Sequence, residues 1–382
     1  MARRPGTQPP FPTALEPTPA PPAAGGSRSR LKALALLGAL ALAPGSPVAW
    51  AAGERGRARK PEATGPSYAQ HPAAQAFVVD VAQRRGLPEA WLRRALAGAH
   101  RVEAVRRLIM PPPAGTAKDW VAYRARFVEP RRIAQGLEFW RNHEAWLAEA
   151  EARWGVPPEI VVAIVGVETF YGRITGRHRV VDALATLAFD FPPGRRDRSA
   201  FFREQLEEYL VWCQREGLAP GDTRGSYAGA IGLPQFMPGS INRFAVDMDG
   251  DGHIDLLRQP ADVVGSVARF LAEHGWQRGM PTHFAVKVPV DTADRAALLA
   301  PDILPSFSAA QLLARGAELP GDARAHTGPM ALVELQNGDA APSYVLGTAN
   351  FYTVTRYNWS AYYALAVIDL AAELRRGFAQ RG

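Results

Sequence analysis

Apolar residues recur with helical spacing along most of the chain. Ala74, Phe77, Val78 and Val81 fall three or four positions apart, as on the buried face of an amphipathic helix. Two adjacent prolines, Pro157 and Pro158, suit the first turn of the helix that follows them. The pattern predicts a mainly α protein, with helices at about 133–154, 156–171, 199–217, 261–275 and 360–376.

The pattern changes between residues 282 and 344. Residues 283–288 and 330–335 alternate between apolar and polar positions, which predicts strands, and turn residues surround one short helix at 309–315. We therefore expect a small mixed α+β domain at 282–344. The remaining divisions are a linker at 52–67, an N-terminal helical domain at 68–150, a core at 151–281 and a C-terminal part of that core at 345–376.

The first 51 residues show the order of features found in a secretory signal peptide. A region rich in Pro, Ala and Gly predicts disorder, and a basic cluster at 27–32 precedes an apolar run at 33–43. That run is too short to span a bilayer as a helix, and Ala49-Trp50-Ala51 matches a cleavage site. We predict secretion, with an uncleaved signal anchor as the alternative. The absence of a nearby cysteine argues against a lipid anchor.

Composition excludes several classes of protein. The 382 residues include one cysteine, Cys213, which excludes an intramolecular disulfide and a multi-cysteine zinc site. The formal net charge is +7, and residues 1–51 carry +4 of it (five Arg or Lys against one Glu), which leaves +3 for the rest. That balance would suit an anionic polymer but is too weak to predict a nucleic-acid partner.

Glu168 is the first candidate for catalysis. It directly follows an apolar stretch at 160–167, and burial in such a setting raises the pKa of a carboxyl group. A carboxyl group that remains protonated near neutral pH is what a general acid for glycosidic cleavage requires. The alternative is a structural glutamate paired with a nearby arginine such as Arg173 or Arg177.

Two further segments could bind a sugar. The glycine-rich segment at 225–240 contains the polar residues Ser226, Tyr227 and Gln235, and it lacks the Gly-Lys-Ser/Thr ending of a phosphate loop. The segment at 350–360 mixes aromatic residues with amides, including Asn350, Tyr352 and Tyr357. A tight packing turn and a piece of ordinary core are the respective alternatives.

An acidic loop predicts a calcium site. Asp247, Asp249 and Asp251 occupy positions 1, 3 and 5, a glycine occupies position 6, and His253 would contribute its backbone carbonyl. Position 12 is an arginine where a glutamate is usual, so Asp255 or Asp262 would supply the last ligand. One such loop favours a structural metal over a calcium sensor, and a solvated acidic turn is the alternative.

These segments, in this order, resemble the membrane-bound lytic murein transglycosylase B family. The resemblance covers about residues 68–376, and its pieces are YRARF (123–127), GVPPEI (155–160), VETFYG (167–172), DALATLAF (182–189), YAGAIG (227–232), QFMP (235–238) and the acidic loop. It implies a lysozyme-like helical core with an additional helical domain and a small α+β domain. It also implies cleavage of the β-1,4 bond between N-acetylmuramic acid and N-acetylglucosamine without water, leaving a 1,6-anhydro end.

The resemblance also assigns roles to residues of this chain. Glu168 becomes the single catalytic acid and base, while Ser226, Gln235, Tyr123 and Asn350 become cleft residues. The arginines near 195–198, including Arg196, become neighbours of the stem peptide. Calcium falls on Asp247, Asp249, Asp251, His253 and Asp262. A second carboxylate facing Glu168, either Asp182 or Asp190, would instead indicate a hydrolytic muramidase, and a non-catalytic wall-binding protein is a further alternative.

The expected partners and location follow from the same resemblance. The substrate would be the peptidoglycan glycan strand, with cell-wall synthesis proteins as additional partners and no nucleic acid. We expect a monomer. Because relatives often carry a lipid-anchoring cysteine that this chain lacks, we expect a soluble periplasmic form.

Overall fold

A computed structural model describes residues 65–111 and 118–380. The predicted signal peptide and most of the predicted linker lie outside the described residues. A single 3₁₀ turn at Tyr68–Gln70 opens the N-terminal part. Its helices are α1 (Pro72–Arg85), α2 (Glu89–Ala97), α3 (Glu103–Leu108), α4 (Trp120–Ala125), α5 (Pro130–Asn142) and α6 (Glu144–Trp154).

The central part of the chain is also helical, apart from one pair of very short strands. Its helices are α7 (Pro158–Thr169), α8 (Val180–Phe189), α9 (Ser199–Arg215), α10 (Pro238–Phe244) and α11 (Pro260–Glu273). Strands β1 (His178–Arg179) and β2 (Arg224–Gly225) pair antiparallel, with His178 opposite Gly225. This ladder fixes the segment after α7 against the glycine-rich segment.

A three-stranded antiparallel sheet follows, in the order β3-β5-β4. Its strands are β3 (His283–Ala285), β4 (Ala331–Asn337) and β5 (Ala340–Gly347), with the short helices α12 (Thr292–Leu299), α13 (Ala309–Ala314) and α14 (Gly321–Ala325) between β3 and β4. The two predicted strands are present but shorter or shifted, and the sequence pattern missed β5, α12 and α14. A separate hydrophobic cluster, including Phe284, Leu312 and Leu346, holds this part together.

Helix α7 is the centre of the helical body. The chain ends with α15 (Ala349–Thr355) and α16 (Ala361–Ala379), and α7 packs against α5, α6, α11 and α16. Every residue from Ile160 to Val167 is buried, which is why this helix is apolar all round. Among the described residues, no helix is both long and apolar enough to cross a bilayer.

The single long helix predicted at 133–154 is wrong. The chain leaves helical geometry at His143 (φ −129°, ψ 23°), which ends α5 and begins α6. The break lets α5 and α6 pack against different helices. Trp140 of α5 stacks on Phe378 of α16, with ring centroids 4.3 Å apart, whereas α6 packs against α11. The sequence pattern also missed α8, because every residue from Val180 to Ala188 is buried and no solvent-facing polar side marks the helix.

Candidate active site

Glu168 lies in the last turn of α7 and is partly buried. The hydroxyl of Tyr363 donates a hydrogen bond to Glu168 Oε1 at 2.6 Å. Burial raises the pKa of Glu168 to about 7, although this hydrogen bond opposes the rise because it stabilises the carboxylate. The group therefore exists in both protonation states near neutral pH. Its partner is a tyrosine rather than Arg173 or Arg177, both of which are exposed.

Tyrosines from three elements surround this carboxyl group. Tyr363 stands in the first turn of α16, whose N-cap Ser360 accepts a hydrogen bond from the Tyr363 backbone N–H. The ring of Tyr357 lies nearly parallel to that of Tyr363, with centroids 6.3 Å apart. The negative charge of Glu168 raises the pKa values of Tyr123, Tyr357 and Tyr363, after the larger effect of burial. Sequence reasoning missed Tyr363, because it lies inside a predicted helix with no motif around it.

The end of α7 has an unusual backbone. Phe170 and Tyr171 adopt left-handed φ values of 52° and 57°, a conformation that costs energy for residues with a Cβ. Packing holds them there. The Tyr171 hydroxyl packs directly against two glycines: a Cβ added to Gly136 or Gly166 would lie 2.3 or 2.5 Å from the hydroxyl oxygen. The guanidinium of buried Arg132 lies 4.8 Å from the centroid of the Phe170 ring. The strained turn directly follows Glu168 and Thr169.

Side-chain hydrogen bonds join this turn to the glycine-rich segment. Thr169 Oγ1 donates to the Leu233 carbonyl at 2.8 Å, and Gln235 Nε2 donates to the Thr175 carbonyl at 3.1 Å. Tyr357 donates to the Pro234 carbonyl at 2.6 Å. The structure thus brings Gln235 and Tyr357 to the same end of α7 as Glu168.

Ser226 and Tyr227 lie at the start of the same segment and are partly buried. Ser226 Oγ accepts hydrogen bonds from the backbone N–H groups of Ala228 and Ala230, so it stabilises the turn. Burial raises the pKa of the Tyr227 hydroxyl, and the nearby Arg195 opposes that rise.

Asn350 is not a cleft residue, and this prediction is corrected. Its side chain is fully buried, with Oδ1 accepting from the Gln277 N–H at 2.7 Å and Nδ2 donating to the Gln277 and Met280 carbonyls. The amide therefore has its donors and acceptor committed to a neighbouring loop. Tyr352, two residues on, packs against Trp359 with ring centroids 5.8 Å apart and beneath Arg356.

The arginines near 195–198 do not form one cluster of free charges. Arg195 donates to the Ile109 carbonyl, and Arg198 lies 4.7 Å from the Phe201 ring centroid. Arg196, the one assigned from the sequence, is exposed. Of the three, Arg196 is the arginine that a flexible ligand could reach without breaking the Ile109 hydrogen bond or the Phe201 ring contact.

The two candidates for a second catalytic carboxylate are engaged away from Glu168. Buried Asp182 accepts from the His100 N–H at 3.0 Å and pairs with Arg179 at 3.3 Å. Asp190 accepts from the Tyr68 hydroxyl at 2.7 Å. Both carboxylates fasten the N-terminal part of the chain to α8 through these contacts.

The acidic loop gathers three carboxylates at one point. Asp247, Asp249 and Asp251 each offer an oxygen within 4.8 Å of the others. Gly250 and Gly252 take left-handed φ values of 77° and 91°, and their N–H groups donate to Asp247 at 2.7 and 2.8 Å. Three carboxylates in a tight loop form the oxygen-rich donor set that Ca²⁺ prefers, so the residues fit this metal.

Asp262 lies outside that group, contrary to the predicted ligand set. Its two oxygens accept from the Met248 and Asp255 N–H groups at 2.9 and 2.8 Å, and the side chain is buried. In this structure it ties the two ends of the loop to α11. The His253 ring is exposed, which leaves the backbone carbonyl as the group this residue would offer.

The chain belongs to the Transglycosylase SLT domain family, which it matches over residues 69–372. It is 38% identical over 314 residues to the membrane-bound lytic murein transglycosylase B of Escherichia coli (strain K12), a match covering 80% of this chain and 83% of that protein. The predicted family and the predicted enzyme class, a lytic transglycosylase acting on peptidoglycan, are therefore confirmed.

Two solved structures are also similar. One is the Escherichia coli lytic transglycosylase Slt35 in complex with calcium (35% identity, TM-score 0.72, covering 84% of this chain and 97% of that one). The other is SltB3 of Pseudomonas aeruginosa in complex with NAG-anhNAM-pentapeptide (30% identity, TM-score 0.68, covering 81% of this chain and 80% of that one). The likeness confirms the predicted mainly α, lysozyme-like fold.

Proposed function

We propose that this enzyme cleaves the β-1,4 bond between N-acetylmuramic acid and N-acetylglucosamine without water and leaves a 1,6-anhydro muramyl end. The observation that carries the proposal is the state of Glu168: partly buried, with a pKa near 7, held by one tyrosine hydroxyl. A complex of the similar SltB3 with an anhydro-muramyl peptide supports it.

In the first step Glu168 is the acid. Its carboxyl proton passes to the glycosidic oxygen as the bond to the muramyl C1 breaks, and the bonding electron pair leaves with that oxygen. The positive charge that develops at C1 is stabilised by the acetamido group of the same sugar. Tyr363 keeps its hydrogen bond to Oε1 and so stabilises the carboxylate that the step produces.

In the second step the same carboxylate is the base. It takes the proton of the muramyl C6 hydroxyl, whose oxygen then bonds to C1 and closes the anhydro ring. The proton lost in the first step is regained, and no water is consumed. One carboxyl group therefore completes the cycle, in keeping with the engagement of Asp182 and Asp190 elsewhere.

The sugar-binding residues belong to the same proposal. Tyr123, Tyr357 and Gln235 adjoin Glu168, while Ser226 and Tyr227 continue the cleft along the glycine-rich segment. Their rings and hydroxyl or amide groups match the apolar faces and hydroxyls of a glycan strand.

We further propose a structural calcium ion in the acidic loop. Asp247, Asp249, Asp251 and the His253 carbonyl would hold it, and the complex of the similar Slt35 with calcium supports this assignment. The two positive charges of the ion would offset most of the three clustered negative charges, and the ion would take no part in the chemistry at Glu168.

The deciding experiment is mass spectrometry of the soluble products released from isolated peptidoglycan sacculi. We expect muropeptides lighter by one water, about 18 Da, than those from a muramidase. Products with reducing ends would contradict the proposed mechanism and would favour a hydrolytic muramidase. Release of no product would favour a binding role. Periplasmic location, proposed from the signal sequence, is tested by cell fractionation.

A further inference from the structure

One buried charge near the catalytic turn has no part in the proposed chemistry. Arg132 lies in the first turn of α5 and is buried, and burial lowers the pKa of its guanidinium group. Its Nη1 donates to the Arg126 carbonyl, whereas its Nε has no hydrogen-bond partner among the described residues. A buried charge with an unsatisfied donor costs stability, and the contacts of Arg132 indicate what that cost maintains.

The guanidinium group lies against both residues of the left-handed turn that follows α7. Its Cζ is 4.8 Å from the centroid of the Phe170 ring and 5.2 Å from that of the Phe127 ring. Burial raises the pKa of the Tyr171 hydroxyl, and the positive charge of Arg132 opposes that rise, which places the two groups near each other. A single side chain therefore stabilises both Phe170 and Tyr171.

This turn ends the helix that carries Glu168. The Phe170 N–H donates to the Gly166 carbonyl at 3.1 Å, and the Tyr171 N–H donates to the Val165 carbonyl at 3.4 Å. These bonds close the end of α7 while the chain passes through left-handed φ values of 52° and 57°. Such values are unfavourable for residues with a Cβ, so the turn depends on contacts outside itself. Relaxation of the turn would loosen the last turn of α7, where Glu168 lies.

Arg132 itself is held at both ends by groups outside α7. The Glu129 carboxylate caps α5 and accepts from the Arg131 and Arg132 N–H groups at 2.8 and 2.7 Å, which fixes the backbone. The bond to the Arg126 carbonyl, directly after α4, fixes the guanidinium group. The junction between α4 and α5 therefore sets where Arg132 meets the turn after α7.

We propose that Arg132 is a positioning residue for the reaction: it keeps the turn at Phe170 and Tyr171 left-handed and thereby fixes the Glu168 carboxyl group in the cleft. The inference rests on the proposed function, since it takes Glu168 to be the acid and the base. A planar guanidinium group can lie against a ring and donate to a carbonyl at the same time, and an ammonium group lacks that shape. Arg132 acts through the turn rather than through its charge, because burial and the Tyr363 hydrogen bond account for the pKa of Glu168.

The test measures kcat and KM of the full chain on soluble peptidoglycan strands. Arg132→Met keeps an unbranched side chain but removes the charge, and it is expected to lower kcat about 10- to 100-fold, since small displacements of a catalytic group have effects of that size. KM is expected to stay within about twofold. The alkaline limb of the kcat profile is expected to stay at the same pH, because Arg132 is not among the causes that shift the pKa of Glu168. Arg132→Lys should recover part of the lost kcat.

A double-mutant cycle shows whether the effect passes through the turn. Phe170→Leu removes the ring against which Arg132 lies. Combined with Arg132→Met, it is expected to lower kcat little further than the larger of the two single losses, whereas independent effects would multiply. If Arg132→Met does not fold, Arg132→Lys takes its place in the cycle with the same expectation.

The matched control for lost stability is Glu207→Gln. Buried Glu207 pairs with Arg84 and Arg85 at 2.6 and 2.5 Å and so joins α9 to α1. Loss of this carboxylate is expected to lower the melting temperature while kcat, measured below that temperature, stays within about twofold. An Arg132 with a purely structural role would behave in the same way. Melting temperatures establish that each variant is folded in the assay.

A folded Arg132→Met variant with kcat within about twofold of the unmodified enzyme overturns the inference. An alkaline limb that moves also overturns it, since Arg132 would then act through its charge, and so do single losses that multiply in the cycle. Failure of the proposed function is distinguishable, because Glu168→Gln would then keep its turnover or the unmodified enzyme would release reducing products. Neither of those results involves Arg132.

Discussion

Glu168 and Asp247 are both carboxylates held by hydrogen bonds, yet their pKa values move in opposite directions. Backbone hydrogen bonds, of which the one from the Gly252 N–H has the largest effect, lower the pKa of Asp247. Burial raises the pKa of Glu168 to about 7. Asp247 is therefore ionised at neutral pH and suited to a cation. Glu168 exchanges a proton there. The surroundings of the two carboxylates, rather than the residue type, separate the proposed metal ligand from the proposed acid–base group.

The largest expected effect comes from Glu168→Gln. The amide has nearly the same shape but cannot donate a proton to the glycosidic oxygen, so turnover of sacculi should fall by about 10³-fold or more. Release of soluble muropeptides measures it, and retained binding to sacculi shows that the cleft is intact. Substantial residual turnover would contradict the single-carboxylate mechanism.

The variant Tyr363→Phe tests the hydrogen bond that the Tyr363 hydroxyl donates to Glu168. The lost hydrogen bond stabilised the carboxylate, so the pKa of Glu168 should rise further and the alkaline limb of kcat/KM should move to higher pH. We expect a loss of about tenfold at neutral pH from poorer positioning of the carboxyl group. Tyr362→Phe, which alters a hydroxyl bonded to Gln336, is the neighbouring control. An alkaline limb moved to lower pH would contradict this account.

The double variant Asp247→Asn, Asp251→Asn tests calcium binding by the acidic loop. Millimolar Ca²⁺ should raise the melting temperature of the unmodified protein, and at about 100 times Kd the stabilisation would be about 2.7 kcal/mol, a shift of several degrees. The double variant should lose that shift. An equal shift in both proteins would place the ion elsewhere. Activity of the calcium-free protein below its melting temperature should be retained.

The smallest expected effect is the pH dependence of thermal stability that Glu168 causes. Because the folded pKa of Glu168 lies above its unfolded value, the folded protein binds more protons between about pH 4.5 and 7, and stability falls as pH rises through that window. Glu168→Gln does not titrate, so its melting temperature should exceed that of the unmodified protein by a few degrees at pH 8 and by much less at pH 5. Thermal scans at both values measure it. A constant difference would contradict the raised pKa.

Much of the site could be found from local signals. The apolar run before Glu168 indicated a costly carboxylate, and the spacing of acids and glycines indicated the metal loop, because both patterns are written in adjacent residues. The prediction for Asn350 was wrong because the contacts that decide its role are long-range. An amide among aromatic residues looks like a sugar ligand, but its partners, Gln277 and Met280, lie about 70 residues away in the chain.

The sequence alone determined the helical class, the candidate acid and the loop that concentrates three carboxylates, since periodicity and short-range spacing specify such features. Tertiary structure decided the rest. It supplied the Tyr363 hydroxyl to Glu168, broke the helix at His143, held Phe170 and Tyr171 in a left-handed turn, and joined that turn to the glycine-rich segment through Thr169. Each of these depends on contacts between distant segments, and burial and hydrogen bonding at such contacts fix the pKa and the geometry of a site.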